Sequence, residues 1–242
     1  MRAEQIAWNS SYADGGGSKD ICSRLKPVEG KMGSLIDAET LNKIEGRLRE
    51  IEERREKILR DIRAVTLNAS KAIICVHAKR RKEAERLLRE SRRVLIETSK
   101  IAGNDLQKYL IQPAAEYVEA SITIAVSKKK KIPKQEELGV DDIPYLLGIL
   151  DAVGEIKRMV YDRLREGRVK EAIRLFRAME EIYASLTPFA AYDHIVQGIR
   201  RKTDVARILI EDTRAIVTEE LRRAALIRDL QKTLRVAGSN EP

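Results

Sequence analysis

The chain has 242 residues, of which 35% are charged, 43% hydrophobic and only 4% aromatic, and 47 Lys+Arg against 38 Asp+Glu leave a net charge of +9. That apolar fraction is enough for a core at this length, which excludes a disordered polyelectrolyte, and the bias toward Leu, Ile, Ala, Arg, Glu and Lys excludes sandwiches and barrels. No apolar stretch approaches the roughly 18 residues of a membrane span and no export segment opens the chain, so a soluble, cytoplasmic, all-α protein with no membrane partner is expected, its excess positive charge suited to an acidic one.

Residues 1–33, with Gly15-Gly16-Gly17 and no apolar period, read as a flexible leader, and 34–242 as a single helical domain. From Asp37, apolar residues from Leu41 to Val76 recur alternately at three and four, interrupted by Arg55, which predicts one long helix with a coiled-coil-like seam. A second helix is expected over about 79–101, with Ala84, Leu87, Leu88, Val94, Leu95 and Thr98 on its apolar face and Gly103-Asn104 ending it. A third, over about 105–128, contains Pro113 and should kink there. The basic loop Lys128–Lys131 follows, then a short helix at 134–138. Asp141 or Asp142 can cap a helix running to Gly167, with Pro144 in its first turn. Residues 169–185 form another helix. After Pro188 a last one of about 45 residues shows Ile195, Ile199, Ala206, Leu209, Ile216 and Leu221 at helical spacing. The fold class is therefore all-α, a bundle of about seven helices with long antiparallel members and no solenoid repeat.

Two cysteines, Cys22 and Cys75, without CxxC spacing indicate neither a disulfide framework nor a zinc site, and Cys75 reads as a small buried hydrophobe. With only His77 and His194, and no GxSxG, P-loop, HExxH or EF-hand pattern, serine, zinc-protease and nucleotide-phosphate mechanisms lack support. His77 reads as a helix-end cation.

Carboxylates remain. Pairs at i, i+3 arise by chance in so acidic a chain, but Glu116 and Glu119 are the only charges from Tyr109 to Ser127, and neither has a basic residue three or four positions away. Asp151 is the only charge between Ile143 and Gly154, and Glu155 lies one turn on along the same face. Such acids face solvent, are protonated, pair with distant basic residues, or bind a cation. Should their helices pack together, Glu116, Glu119, Asp151 and Glu155 form an all-oxygen cage suited to Mg²⁺ or Mn²⁺. Residues 79–93 hold eight Lys or Arg against three Glu, and Arg200-Arg201-Lys202 adds a second basic cluster, although charge runs are more often solvated faces. Tyr109 and Tyr117 are candidates either for stacking on bases or for the core.

Glu116-Tyr117-Val118-Glu119-Ala120, together with Tyr145-Leu146-Leu147-Gly148, Asp151 and Gly154-Glu155, resembles the translin family, specifically the translin-associated factor X (TRAX) branch and its archaeal relatives. Weaker similarity lies in Arg60-Asp61-Ile62, Ser70-Lys71 and His77, and similar helix lengths extend over about 37–236. The resemblance implies an all-helical protein that assembles into hollow octamers enclosing nucleic acid. It implies a metal-dependent endoribonuclease with Glu116, Glu119 and Asp151 as catalytic acids and Glu155 as a fourth metal ligand. The chain departs from the family in two respects: Pro144 replaces an acid, and Lys108, Tyr109 and Gln112 replace the His- and Arg-rich nucleic-acid segment of translin. The expectation is thus a Mg²⁺-dependent endoribonuclease, Mn²⁺ being the alternative cofactor, that cleaves RNA inside a homo-oligomer, an octamer in this family. Lys79, Arg80, Arg81, Lys108, Tyr109 and Arg200 would bind the nucleic acid. The alternative is a translin-like protein that binds RNA or single-stranded DNA without cleaving it.

Overall fold

The computed structural model describes residues 36–238, so the leader expected at 1–33 and Cys22 lie outside the described residues. Seven α-helices and no strand occur among them: α1 Ala38–His77, α2 Arg81–Ala102, α3 Ile111–Ser127, α4 Gln135–Leu138, α5 Asp142–Arg165, α6 Val169–Leu186 and α7 Ile199–Gly238. None is long and apolar enough to cross a membrane. The chain divides into a unit that ends at Gly46 and another that begins at Arg47. Of the first, the described part is the start of α1, where the Asp37 carboxylate accepts the Thr40 N–H at 2.9 Å and Leu41 and Ile44 are exposed.

In the second unit, α1 and α2 form an antiparallel hairpin joined by three residues. Its seam runs from Cys75 against Ala84, through Val65, whose carbonyl accepts the Ser91 hydroxyl at 3.0 Å, to Ile58 against Ala102. The buried faces use small residues, Ala69, Ala72, Cys75 and Ala84, which let the hairpin close onto α3. α5 is the central helix, packing against α3, α6 and α7. Its buried residues, including Leu147, Leu150, Val153, Ile156 and Val160, join the main core with Val118 and Ile122 of α3 and Leu175 and Met179 of α6. Burying surface of this kind stabilises by about 25 cal/mol per Å² of apolar area. Buried Thr98, Ser121, Thr203 and Thr213 each donate to the carbonyl four residues back, so these hydroxyls cost little inside.

Three sequence expectations need correction. Pro113 does not kink a helix: a 3-10 turn at Gln107–Tyr109 precedes α3, so the proline falls in the first turn of α3, where a missing N–H leaves no bond unmade. The last helix does not start after Pro188, because a 3-10 turn occupies Thr187–Tyr192 and the chain turns at Gly198 (φ 85°) before α7 begins. The α7 register also differs. Ile199, Ala206, Ile210 and Val217 are buried, whereas Ile195, Ile216 and Leu221 are exposed. Asp141 occupies the N-cap position of α5 in extended backbone, but its side chain makes no capping bond.

Candidate functional site

α3 buries almost every side chain from Pro113 to Val126, with Glu116 and Glu119 the charged exceptions, each half-buried. Where α5 crosses it stands Gly148. A Cβ there would lie 2.4 Å from the Ala115 carbonyl oxygen and 2.6 Å from Val118 Cβ. The two backbones therefore meet at that glycine, against Ala115 and Val118, the residues that immediately precede the two α3 acids. One turn further along α5 come Asp151 and then Glu155. Close packing of two apolar helices is what brings these acids into one region.

The electrostatics follow from that geometry. Glu119 is pushed up to about 8 from the ordinary 4.5, first by burial and then by the negative charges of Asp151, Glu155 and Glu116, with Lys202 opposing. Glu155 moves down, because His77 hydrogen-bonds its carboxylate. Asp151 is bonded to the Lys202 ammonium from α7, and Gln112 Nε2 donates to Glu116 Oε1 at 3.2 Å. His77, 7% exposed, stands at the end of α1 between two α5 carboxylates, with Nε2 2.7 Å from Glu155 Oε2 and Nδ1 3.3 Å from Asp162 Oδ2.

Among the described residues no three His, Cys, Asp or Glu side chains stand close enough to hold one metal ion as placed. Lys202 engages Asp151 and His77 engages Glu155. The donor set itself suits a hard cation: carboxylate oxygens only, around a glutamate whose anionic form is disfavoured by its neighbours.

The raised Glu119 sets a pH dependence. Below about pH 4.5 folded and unfolded chains both hold its proton, while between 4.5 and about 8 the unfolded chain has released it and the folded chain has not. Stability in EDTA should therefore fall as pH rises across that window, by at most about 1.4 kcal/mol per unit. Melting temperatures in EDTA at pH 5.5, 7 and 8.5 should show the decline, and Glu119→Gln should flatten it. An identical slope in that variant would mean that another group sets it.

The basic residues do not gather into one patch. Lys79 and Arg81 line a cavity of about 230 Å³ with His77 and Asp162, and none of the four candidate acids lines it. Lys79 is bonded to Glu166 at 2.7 Å and Arg80 to Glu83 at 2.9 Å. Within the 79–93 run Arg93 is taken up by Glu90 and Glu97, and Glu85 by Lys128. Lys108 lies beyond the other end of α2, a helix of 22 residues and so about 33 Å long. Tyr109 accepts a hydrogen bond from Arg55 Nε at 3.1 Å, and its ring carries Arg55 and Lys108 at 5.5 and 5.3 Å from its centroid. Tyr117 is core. Arg200 is exposed in the first turn of α7, two residues before Lys202. Lys202, Asp162 and the bridging role of His77 escape sequence reasoning. The one available hint for Lys202 is its place in the Arg200-Arg201-Lys202 cluster.

Comparison with known proteins places the fold. The structure of AfC3PO in complex with duplex RNA matches with a TM-score of 0.69 at 30% identity, over 84% of this chain and 100% of that one. The crystal structure of AfC3PO matches with a TM-score of 0.70 at 31% identity, over 76% of this chain and 98% of that one. Apo-NeC3PO shares the fold, with a TM-score of 0.68 at 23% identity over 78% of this chain and 100% of that one. An uncharacterized protein of Methanocaldococcus jannaschii is 29% identical over 181 residues, 74% of this chain and 81% of the relative. No family model matches the chain. The fold is thus that of the all-helical translin class. This chain belongs to the translin/TRAX-type C3PO proteins, in keeping with its resemblance to the archaeal branch.

Proposed function

We propose that this chain is a Mg²⁺-dependent endoribonuclease that encloses RNA within a hollow homo-oligomer, an octamer in keeping with its family. The observation that carries the reading is Glu119, partly buried at the crossing of α3 and α5 and acted on by the negative charges of three further carboxylates. A helix pair gains nothing in stability from four acids so arranged, and a divalent cation relieves their repulsion. The 30% identity to AfC3PO, whose structure with duplex RNA matches along its whole length, supports RNA as the ligand.

Glu119 and Asp151 would hold the cation from opposite helices, with Glu116 and Glu155 completing the oxygen shell or holding its waters. When bound, Mg²⁺ lowers the pKa of a coordinated water and neutralises charge on the phosphodiester. His77 fixes one oxygen of Glu155, and Gln112 one of Glu116, which limits how these carboxylates turn. Lys202 would exchange its bond to Asp151 for a phosphate oxygen. Lys79 and Arg81, which share a cavity with His77, would grip the backbone without reading sequence.

A binding-only reading draws on one observation: Lys202 and His77 already engage Asp151 and Glu155. Cleavage of a labelled single-stranded and duplex RNA in Mg²⁺, and its absence in EDTA, decides between the two. We expect cutting that Mn²⁺ also supports, loose in sequence and falling steeply with salt. RNA bound but intact in Mg²⁺ would establish the binding-only protein.

A further inference from the structure

A cavity of about 530 Å³ lies between the end of α3, the loop after it, α5 and α6, away from the four acids. Its size falls within the roughly 300–1,000 Å³ of small-molecule sites. Val126, Ile132, Ile149 and Ile182 supply apolar wall, and Tyr145 a ring. Lys130, Lys131 and Arg174 supply positive charge, with Glu181 the only acid.

Three observations single it out. First, Arg174 Nε is the one buried side-chain nitrogen or oxygen among the described residues that lacks a hydrogen-bond partner. Its Nη2 is engaged at 3.3 Å with the Val126 carbonyl, so the guanidinium is held in place yet short of acceptors. A buried donor left so costs about 1–3 kcal/mol. Second, the four lysines of the loop divide in two. Lys128 is bonded to Glu85 and Lys129 reaches Glu171 at 3.9 Å, whereas Lys130 and Lys131, which line the cavity, make no salt bridge among the described residues. Third, the loop is held in a costly shape. Lys129 has φ 59°, left-handed backbone that a lysine rarely adopts, and Tyr145 pins the loop by donating to the Pro133 carbonyl at 3.0 Å.

We propose that this cavity binds a nucleoside monophosphate unit, its phosphate received by Lys130, Lys131 and Arg174 and its base seated against Tyr145, Ile149 and Ile182. Guanidinium and ammonium donors match phosphate oxygens, and an aromatic and aliphatic wall matches a base of any sequence. The unit is either a free mononucleotide or the 5′-phosphorylated end of an RNA. The site stands apart from the nuclease reading, since it requires neither metal nor cleavage.

Calorimetric titration of the full chain in EDTA with adenosine monophosphate tests it. Saturable binding is expected, at least about tenfold weaker in Lys130→Ala/Lys131→Ala and in Arg174→Lys and unchanged in Glu119→Gln. Adenosine alone and inorganic phosphate alone should each bind at least about tenfold more weakly than the nucleotide. The lysine pair is exposed, so its variant keeps the test open if Arg174→Lys misfolds by losing its hold on α3. Absence of saturable binding, equal affinity in the lysine variant, or phosphate binding as tightly as the nucleotide would each overturn the proposal. Displacement of the nucleotide by a 5′-phosphorylated RNA but not by its 5′-hydroxyl counterpart assigns the site to RNA ends. Displacement by neither assigns it to the free nucleotide, and equal displacement by both removes the phosphate from recognition.

Discussion

Glu119→Gln is expected to lower Mg²⁺-dependent RNA cleavage by at least about 100-fold while leaving RNA affinity within about twofold. The amide has the shape of the carboxyl group but no charge to offer a cation. Because Glu119 is held largely protonated at neutral pH in the absence of metal, a neutral side chain fits its surroundings as well or better. The variant should thus melt in EDTA at or above the wild-type temperature, which separates lost chemistry from lost folding. It should also lose the rise in melting temperature expected of the parent in Mg²⁺, since a ligand that binds only the native state stabilises it. Asp151→Asn should cut as poorly, but it strands the Lys202 ammonium, so a modest loss of stability goes with it. Cleavage unchanged in both variants, measured on the same labelled RNA, would remove the acids from the mechanism.

Gly148→Ala should destabilise the protein by about 2–3 kcal/mol, or roughly 5–10 °C in melting temperature. An alanine gains about 1 kcal/mol over glycine inside an exposed helix, but here its methyl would stand 2.4 Å from a backbone carbonyl oxygen. That oxygen belongs to α3 and cannot rotate away, so the two helices have to part. Parting them also separates Glu116 and Glu119 from Asp151 and Glu155. Cleavage should therefore fall well below what the remaining folded fraction explains, a displacement of about 1 Å being enough for a hundredfold loss. Gly154→Ala is the control. Its Cβ would meet nothing nearer than Leu209 Cδ1 at 3.9 Å, so the helix preference prevails and stability should hold or rise by up to about 1 kcal/mol. Equal melting temperatures for the two variants would show that α3 and α5 are not tightly apposed at Gly148.

Much of this was legible in the chain before any coordinates. Helix periods and end residues outline α1 to α6 closely, and the isolation of Glu116, Glu119 and Asp151 in uncharged segments marks them for attention. Gly148 stands in the sequence as one residue of a motif, and its tight contact with α3 emerges only from the packing. Partners distant in sequence were out of reach: Lys202 meets Asp151 across 51 positions, and His77 meets Glu155 across 78. Local spacing carries no record of such pairs. α7 misled for a different reason. It has apolar residues on more than one face, so spacing alone cannot choose between the face with Ile210 and Val217 and that with Ile216 and Leu221. The 3-10 turns before α3 and α7 were missed because a three-residue period nearly continues a helical one.

The ammonium that Lys202 lends to Asp151 bears on how the protein is made as well as on what it does. A nascent chain with four bare acids at its centre would wait on an ion before it could close, as small zinc domains do. With a tethered countercharge from the last helix, Asp151 is paired without any ion. On the proposed reading a cation would enter a finished protein by displacing Lys202 from Asp151, so that loading would respond to supply without the fold being at stake.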